Sequence, residues 1–262
     1  MFRILFLFIS VVMVILLMTI GPGLAFKEDI VAAWLMDEGS GKTVKDFVGN
    51  YSDGEINGKA EWVDGKSGKA LRFDGSGGHV QVPFNPEFQV LNETDFTFAL
   101  WFKTETLPTD RGTWIAGFQQ MDANGTGRTW MGLQDSTDMV YSALGNIRPT
   151  GAVPEVDQWC HFALVVEEAG AGDNLKLYSN GKLETEMPLS VETSEGDYLI
   201  GCHKNLSADN SWEGVIDDVV IIAKALTEEE LEQLMNNGLS GILAVESRGK
   251  LTTTWGYLRQ TS

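Results

Sequence analysis

Past its opening segment the chain advances in short apolar or alternating runs broken by glycine-rich turns, and that rhythm restricts it to an all-β fold. "IVAAWLM" comes first, "KALRF" and "HVQV" flank "DGSGG", and "FTFALWF" at residues 96–102 alternates cleanly. "GTWIAGF", "TWMGL", "CHFALVV", "NLKLYSNGKLE", "YLIG" and "WEGVIDDVVII" continue the series at the spacing of a β-sandwich. Asn180-Gly181 predicts a type I′ hairpin, because both central residues of that turn need a left-handed backbone that Asn and Gly tolerate. One helix is expected in "ALTEEELEQLMNNG". Thr227 and Glu230 form a capping box, Leu231, Leu234 and Met235 an apolar stripe, and Gly238 a stop, so the helix should cover an edge of the sandwich.

Residues 1–25 stand apart. A single Arg3 precedes an apolar run, a Gly-Pro break and the small residues Gly23 and Ala25, the pattern of a cleaved secretory peptide; a retained amino-terminal anchor is the rival reading. Either places the remainder outside the cytoplasm, secreted or at the cell surface or periplasm. The expected domains are a signal peptide at 1–25, one sandwich at 26–238, and an extension or sorting tail at 239–262. With 19 Lys plus Arg against 37 Asp plus Glu, the chain has a formal charge of -18, which argues against nucleic acid and anionic lipid as partners and favours divalent cations. Membrane contact is expected only if the amino-terminal segment is retained. Cys160 and Cys202 either pair as a disulfide or remain two buried thiols.

"GVIDDVVII" at 214–222 poses the sharpest local question. Strict alternation puts Asp217 on one face with Val215, Val219 and Ile221, and Asp218 on the other with Ile216, Val220 and Ile222. Buried carboxylates need a cation, hydrogen-bond donors or access to water. Hard cations such as calcium take carboxylate and carbonyl oxygens from loops, so Asp37, Asp74 and Asp217 or Asp218 are candidate metal ligands if the first and last strands meet. Equally, one of the pair accepts loop amide hydrogens while the other reaches solvent. Asp46 reads as an amide-capping residue. Both acids cannot enter one catalytic cleft without a bulge.

Taken together, "VAAWLMDEGSGKTVKDFVGNYSDGEINGKAEWVDGKSGKALRFDGSGGHVQVP", "FTFALWFK", "DQWCHFALVVEEAGAGDNLKLYSNGKLE", "YLIGC" and "WEGVIDDVVIIAKALTEEELEQL" resemble the laminin G-like jelly-roll family of the concanavalin A-like sandwiches, especially its bacterial secreted members. The resemblance runs from about Val31 to Leu234. It implies a two-sheet antiparallel jelly-roll sandwich with one short C-terminal helix, serving in binding or adhesion, sometimes with calcium, and with glycans or extracellular proteins as ligands. Where that family tends to read Trp-x-His-Val-Ala, this chain has "WCHFA", so no role for Cys160 carries over.

Catalysis is set aside at this stage. Retaining glycan hydrolysis needs two carboxyl groups about 5 to 5.5 Å apart. "EVDQWC" puts Glu155 and Asp157 on one face, but Cys160 stands where related glucan hydrolases carry a second glutamate. His79, His161 and His203 show no ligand spacing. The expectation is therefore a secreted non-catalytic binding or adhesion module, or else a structural or assembly domain. Exposed aromatics are sought for its ligand: Trp114, Trp130, Tyr141 and Trp212, with Asp122, Asn124 and Arg128 of "MDANGTGRTW" as polar partners. Trp34, Trp101 and Trp159 read as core.

Overall fold

A computed structural model describes residues 26–48, 52–86, 95–121, 127–144, 148–168, 173–188 and 195–244. Its strands form two antiparallel sheets. Across the first lie β13 (Lys182–Pro188), β12 (Asp173–Ser179), β11 (Cys160–Glu168), β7 (Phe96–Thr104), β15 (Glu213–Ile222), β5 (Lys69–Asp74) and β4 (Ala60–Asp64), with β1 (Ile30–Trp34) paired to the far half of β15. Across the second lie β10 (Val140–Ala143), β9 (Arg128–Leu133), β8 (Ile115–Gln120), β14 (Tyr198–Ile200), β6 (His79–Val82), β3 (Gly54–Asn57) and β2 (Thr43–Val44). This is the expected all-β sandwich with a helical element at its C-terminal side.

Alternation along β7 explains how the layers meet. Phe96, Phe98, Leu100 and Phe102 face the second sheet, while Ala99 faces away. Between the sheets, the ring of Phe98 lies 4.6 Å from Phe118 and 5.4 Å from Trp130, and Phe118 lies 5.4 Å from Tyr198. Such tilted and edge-on contacts add to the burial energy of large apolar surfaces. Trp34 and Trp101 are core residues as read from the sequence.

The outer face of the first sheet carries a second core. Ala33, Ala99 and Ala163 give it a shallow floor, and Leu226, Leu231, Leu234, Leu239 and Ile242 cover it together with Phe26 and Ile30. A short helix α1 (Pro108–Arg111) follows β7, and the covering helix is α2 (Glu228–Ala244). Helix α2 thus lies over a sheet face, where an edge was expected, because alanines let it approach closely. The Thr227 hydroxyl accepts from the Glu230 N–H at 3.2 Å and the Glu230 carboxylate from the Thr227 N–H at 3.1 Å, so the capping box forms as read. Gly238, at φ +66° and ψ 159°, interrupts α2, but the helix resumes and buries Leu239 and Ile242. Residue 238 is therefore not the limit of the packed fold.

Asn180 and Gly181 adopt φ +51° and +77° between β12 and β13, the left-handed pair that a type I′ turn requires. The disulfide is corrected: Cys160 and Cys202 are both buried free thiols. Cys160 starts β11 in the first sheet, whereas Cys202 follows β14 in the second and sits 3.2 Å from the Ser211 hydroxyl. Burial pushes the Cys160 thiol up to about 12, which leaves it unreactive at neutral pH.

The second core makes α2 part of the fold's stability. Thr227→Ala is expected to cost about 1 kcal/mol through loss of the cap. Leu231→Ala is expected to cost about 2 to 5 kcal/mol by opening a cavity under α2. Urea unfolding checks both, and an unchanged midpoint for Leu231→Ala would show that α2 does not stabilise the sheet.

Candidate functional site

The adjacent acids of β15 are resolved by a bulge. Pairing with β7 runs from Gly214↔Thr104 to Asp217↔Trp101 and then shifts to Val220↔Ala99. Asp218 takes φ +48° at that shift, a left-handed conformation that aspartate tolerates better than branched residues. The extra residue changes the facing pattern. Ile216, Val219 and Ile221 enter the core between the sheets, while Val220 and Ile222 enter the outer core. Strict alternation, which would have put Asp218 with Ile216, is therefore corrected.

Asp217 anchors a loop. Its carboxylate accepts from the Lys66 N–H at 2.8 Å, the Ser67 N–H at 3.2 Å and the Asp218 N–H at 2.9 Å. A Cβ on Gly65 would stand 2.5 Å from the Asp217 oxygen, so only glycine admits this approach. Asp37 holds the same loop by accepting from the Lys69 N–H at 2.7 Å. Asp218 and His161 instead line a cavity of about 10 Å³ beneath α2, each with a buried atom, Oδ2 and Nδ1, that has no hydrogen-bond partner. Burial, reinforced by the Asp218 charge, pushes Asp217 up to about 8 despite its amide donors. Burial and then Asp37 push Asp218 up to about 7, and burial lowers His161 to about 3.

Asp74 belongs elsewhere. It pairs across the sheet with Glu213, four residues from Asp217 along β15, roughly 13 Å away at strand rise. The Ser76 hydroxyl and the Lys59 ammonium hold its carboxyl down to about 2. Asp37, Asp74, Asp217 and Asp218 therefore do not form one donor set, and backbone N–H groups already occupy oxygens of Asp37 and Asp217. Among the described residues no group of three or more His, Cys, Asp or Glu side chains comes together to hold a metal ion. Asp46 caps amides as read, accepting from the Ala33 and Val48 N–H groups.

A larger cleft, about 460 Å³, opens at one end of the second sheet. Trp114 enters it from just before β8, Arg128 and Thr129 from β9, Tyr141 from β10, Arg148 from the chain beyond β10, and His203 and Lys204 from the loop after β14. Tyr141 lies opposite Gly132, where a Cβ would strike the tyrosine ring at 2.7 Å. That absence lets the Tyr141 ring lie against the sheet and meet Trp114 edge-on, centroids 5.0 Å apart. The Arg148 guanidinium carbon lies over the Trp114 ring, 4.5 Å from its centre. Asn210 fixes the Trp114 backbone by donating to its carbonyl at 2.8 Å and to the Thr113 hydroxyl at 2.7 Å. Burial lowers the His203 pKa, with Lys204 acting in the same direction and the Asn205 hydrogen bond opposing it.

The cleft sorts the sequence candidates. Trp114, Tyr141 and Arg128 meet there. Trp130 and Trp212 are fully buried, packed on Phe98 and Phe102 respectively, and present no face to a ligand; this corrects their expected binding role. Asp122 and Asn124 lie outside the described residues. Arg148, His203, Lys204 and Asn210 escaped sequence reasoning as site residues, because turns on three separate segments bring them together. The one available signal was the basic pair His203-Lys204 in an acidic chain.

A profile of the family described as the concanavalin A-like lectin/glucanases superfamily matches residues 74–232. No curated protein matches the chain. Among similar solved structures is domain 4 of an extracellular GH43 arabinanase from Geobacillus stearothermophilus in complex with arabinotriose, 23% identical, with 79% of this chain and 98% of that one covered at a TM-score of 0.58. A Trypanosoma rangeli sialidase in complex with sialic acid is 17% identical at a TM-score of 0.64, covering 80% of this chain and 33% of its own. The binding domain of Paraclostridial Mosquitocidal Protein 1 is 18% identical at 0.63, covering 81% and 53%. At such identities the likeness establishes the fold. The chain spans about a third of the sialidase. Because proteins that hydrolyse glycans share this fold, the expectations of a non-catalytic module and of no enzyme are overturned. Among the described residues no helix is long and apolar enough to cross a membrane.

The buried acids of β15 give a pH signature. Their folded values, about 8 and 7, exceed the ordinary aspartate value of about 3.9, so the folded state binds more protons and stability falls as pH rises toward 8. His161 acts oppositely between about 3 and 6.5, so the fall is read above pH 6.5. A loss of roughly 2 kcal/mol between pH 6.5 and 8.5, several degrees in Tm, is expected. Asp218→Asn keeps a residue suited to positive φ and should flatten the slope; thermal melts that stay level for the natural chain would refute this.

Proposed function

Since the chain belongs to the concanavalin A-like lectin/glucanases superfamily, we propose that it is an exported glycan-recognising domain acting in glycan hydrolysis, with its sugar seat in the Trp114–Tyr141 cleft. The observation that carries this reading is the cleft itself. An aromatic wall beside polar and cationic side chains, in a hollow of about 460 Å³, falls within the ordinary range of small-ligand sites. A sugar offers an apolar face for Trp114, against which the buried Tyr141 ring packs, and hydroxyls for Arg128, Lys204 and Asn210. The complexes of similar structures with arabinotriose and sialic acid support a saccharide ligand. The opening apolar run after Arg3 supports export, in keeping with the bacterial secreted members that the sequence resembles.

A glycan array followed by assay of reducing-end release tests the reading. Retention of a defined glycan class is expected, and Trp114→Ala should weaken it about tenfold or more, equivalent to ~1.4 kcal/mol, without lowering Tm by more than a few degrees. Release of sugar that one particular Asp or Glu replacement abolishes would place the hydrolytic step in this chain; retention without release would place it on a companion domain. No retained glycan, or undiminished retention by Trp114→Ala, would overturn the assignment.

A further inference from the structure

We propose that the ligand is a neutral oligosaccharide rather than a single sugar: beside the Trp114–Tyr141 cleft lies a second sugar seat, walled by Gly112, Thr113 and Asp209 and joined to the first at Asn210. This rests on the glycan reading above. The second hollow measures about 490 Å³ against about 460 Å³ for the first, and each is in the ordinary range of a small-ligand site. Asn210 lines both, so the hollows adjoin, and a ligand that fills them runs past that side chain. One sugar ring fills only one of them.

Hydrogen bonds fix the boundary between the two seats. Asn210 commits its amide hydrogens inside the protein, to the Thr113 hydroxyl at 2.7 Å and the Trp114 carbonyl at 2.8 Å, and its Oδ1 stays an acceptor where the hollows meet. The Thr113 hydroxyl, having accepted that bond, keeps a hydrogen to donate. Arg111 secures the wall of the second hollow. Its guanidinium donates to the carbonyls of Ser211 at 2.7 Å, Ala208 at 2.9 Å and Asp209 at 3.1 Å, which ties the turn Ala208–Asn210 to the end of α1. A wall already held in place binds without the cost of ordering it. Gly112 follows α1 at φ +69°, and a Cβ there would meet nothing within 4 Å, so this side of the hollow is unobstructed. Asp209 is exposed on the same hollow. Its carboxylate accepts from sugar hydroxyls and repels another carboxylate, so the unit seated there is a neutral one.

Titration of the full chain with mono-, tri- and hexasaccharides of arabinan, xylan and galactan, and with an oligogalacturonide trimer, tests the proposal, with calorimetry for the chains and ligand-observed NMR for the single sugars. At least one neutral series is expected to bind, its trisaccharide about tenfold or more tighter than its monosaccharide. Gly112→Asn keeps a residue suited to positive φ while adding bulk to the wall, and Asp209→Ala removes the acceptor. Each should lower trisaccharide affinity about tenfold, with Tm retained and monosaccharide affinity unchanged. A trisaccharide that binds no tighter than its monosaccharide, or that both variants bind undiminished, would overturn the second seat while sustaining a glycan site. Tighter binding of the oligogalacturonide than of every neutral chain would overturn the neutral class, and failure of every saccharide would overturn the glycan reading itself.

Discussion

The fold depends on what β15 does at Asp217 and Asp218. This strand lies between β7 and β5 and also pairs with β1, so any error in its register would reach three neighbours. A bulge resolves the conflict between its two acids and its apolar residues. It keeps Ile216, Val219 and Ile221 between the sheets and supplies Val220 and Ile222 to the outer core. Asp217 then ties loop 65–69 to the strand through the Lys66 and Ser67 amides. Two buried carboxylates are a cost to the folded state, offset for Asp217 by three directed N–H groups and less fully for Asp218, which takes a backbone hydrogen bond from Leu239 but keeps Oδ2 without a partner.

Much of this architecture was legible from local patterns. The alternation of residues 96–102, the Asn180-Gly181 turn and the Thr227/Glu230 capping box each specify geometry over a few residues, and each forms as read. What escaped reading depends on residues distant in sequence. Bulges do not show in periodicity, because the period-two rule supplies the wrong face for Asp218 until the partner strand is known. Similarly, the seat of α2 over a sheet face follows from Ala33, Ala99 and Ala163 lying in one row across the sheet, with Val220 of β15 between the first two. Trp130 and Trp212 looked available because tryptophan near a loop is ambiguous, yet both fill the space between sheets.

The cleft illustrates the same division. Its aromatic wall was partly visible in Trp114 and Tyr141, and of its charges only Arg128 was. Arg128, Arg148 and Lys204 are separated by strands and loops and come to line one hollow only through the folding of the second sheet. The sandwich supplies the floor of the hollow, and the polar and cationic side chains that line it come from strand ends and loops. That arrangement separates the packed core, on which stability depends, from the segments that shape the hollow.

The pairing of β1 with β15 also constrains the order of events during synthesis. The first described strand has its partner in the last, so the ribosome must deliver almost the whole domain before that ladder closes. Until then β1 is an unpaired apolar strand. Chains dominated by such distant pairings fold slowly, and an exposed strand invites intermolecular association in the interval. The delay keeps the chain uncommitted until synthesis of the domain is nearly complete. An incomplete sandwich remains threadable, and the arrival of β15 commits it to the folded form.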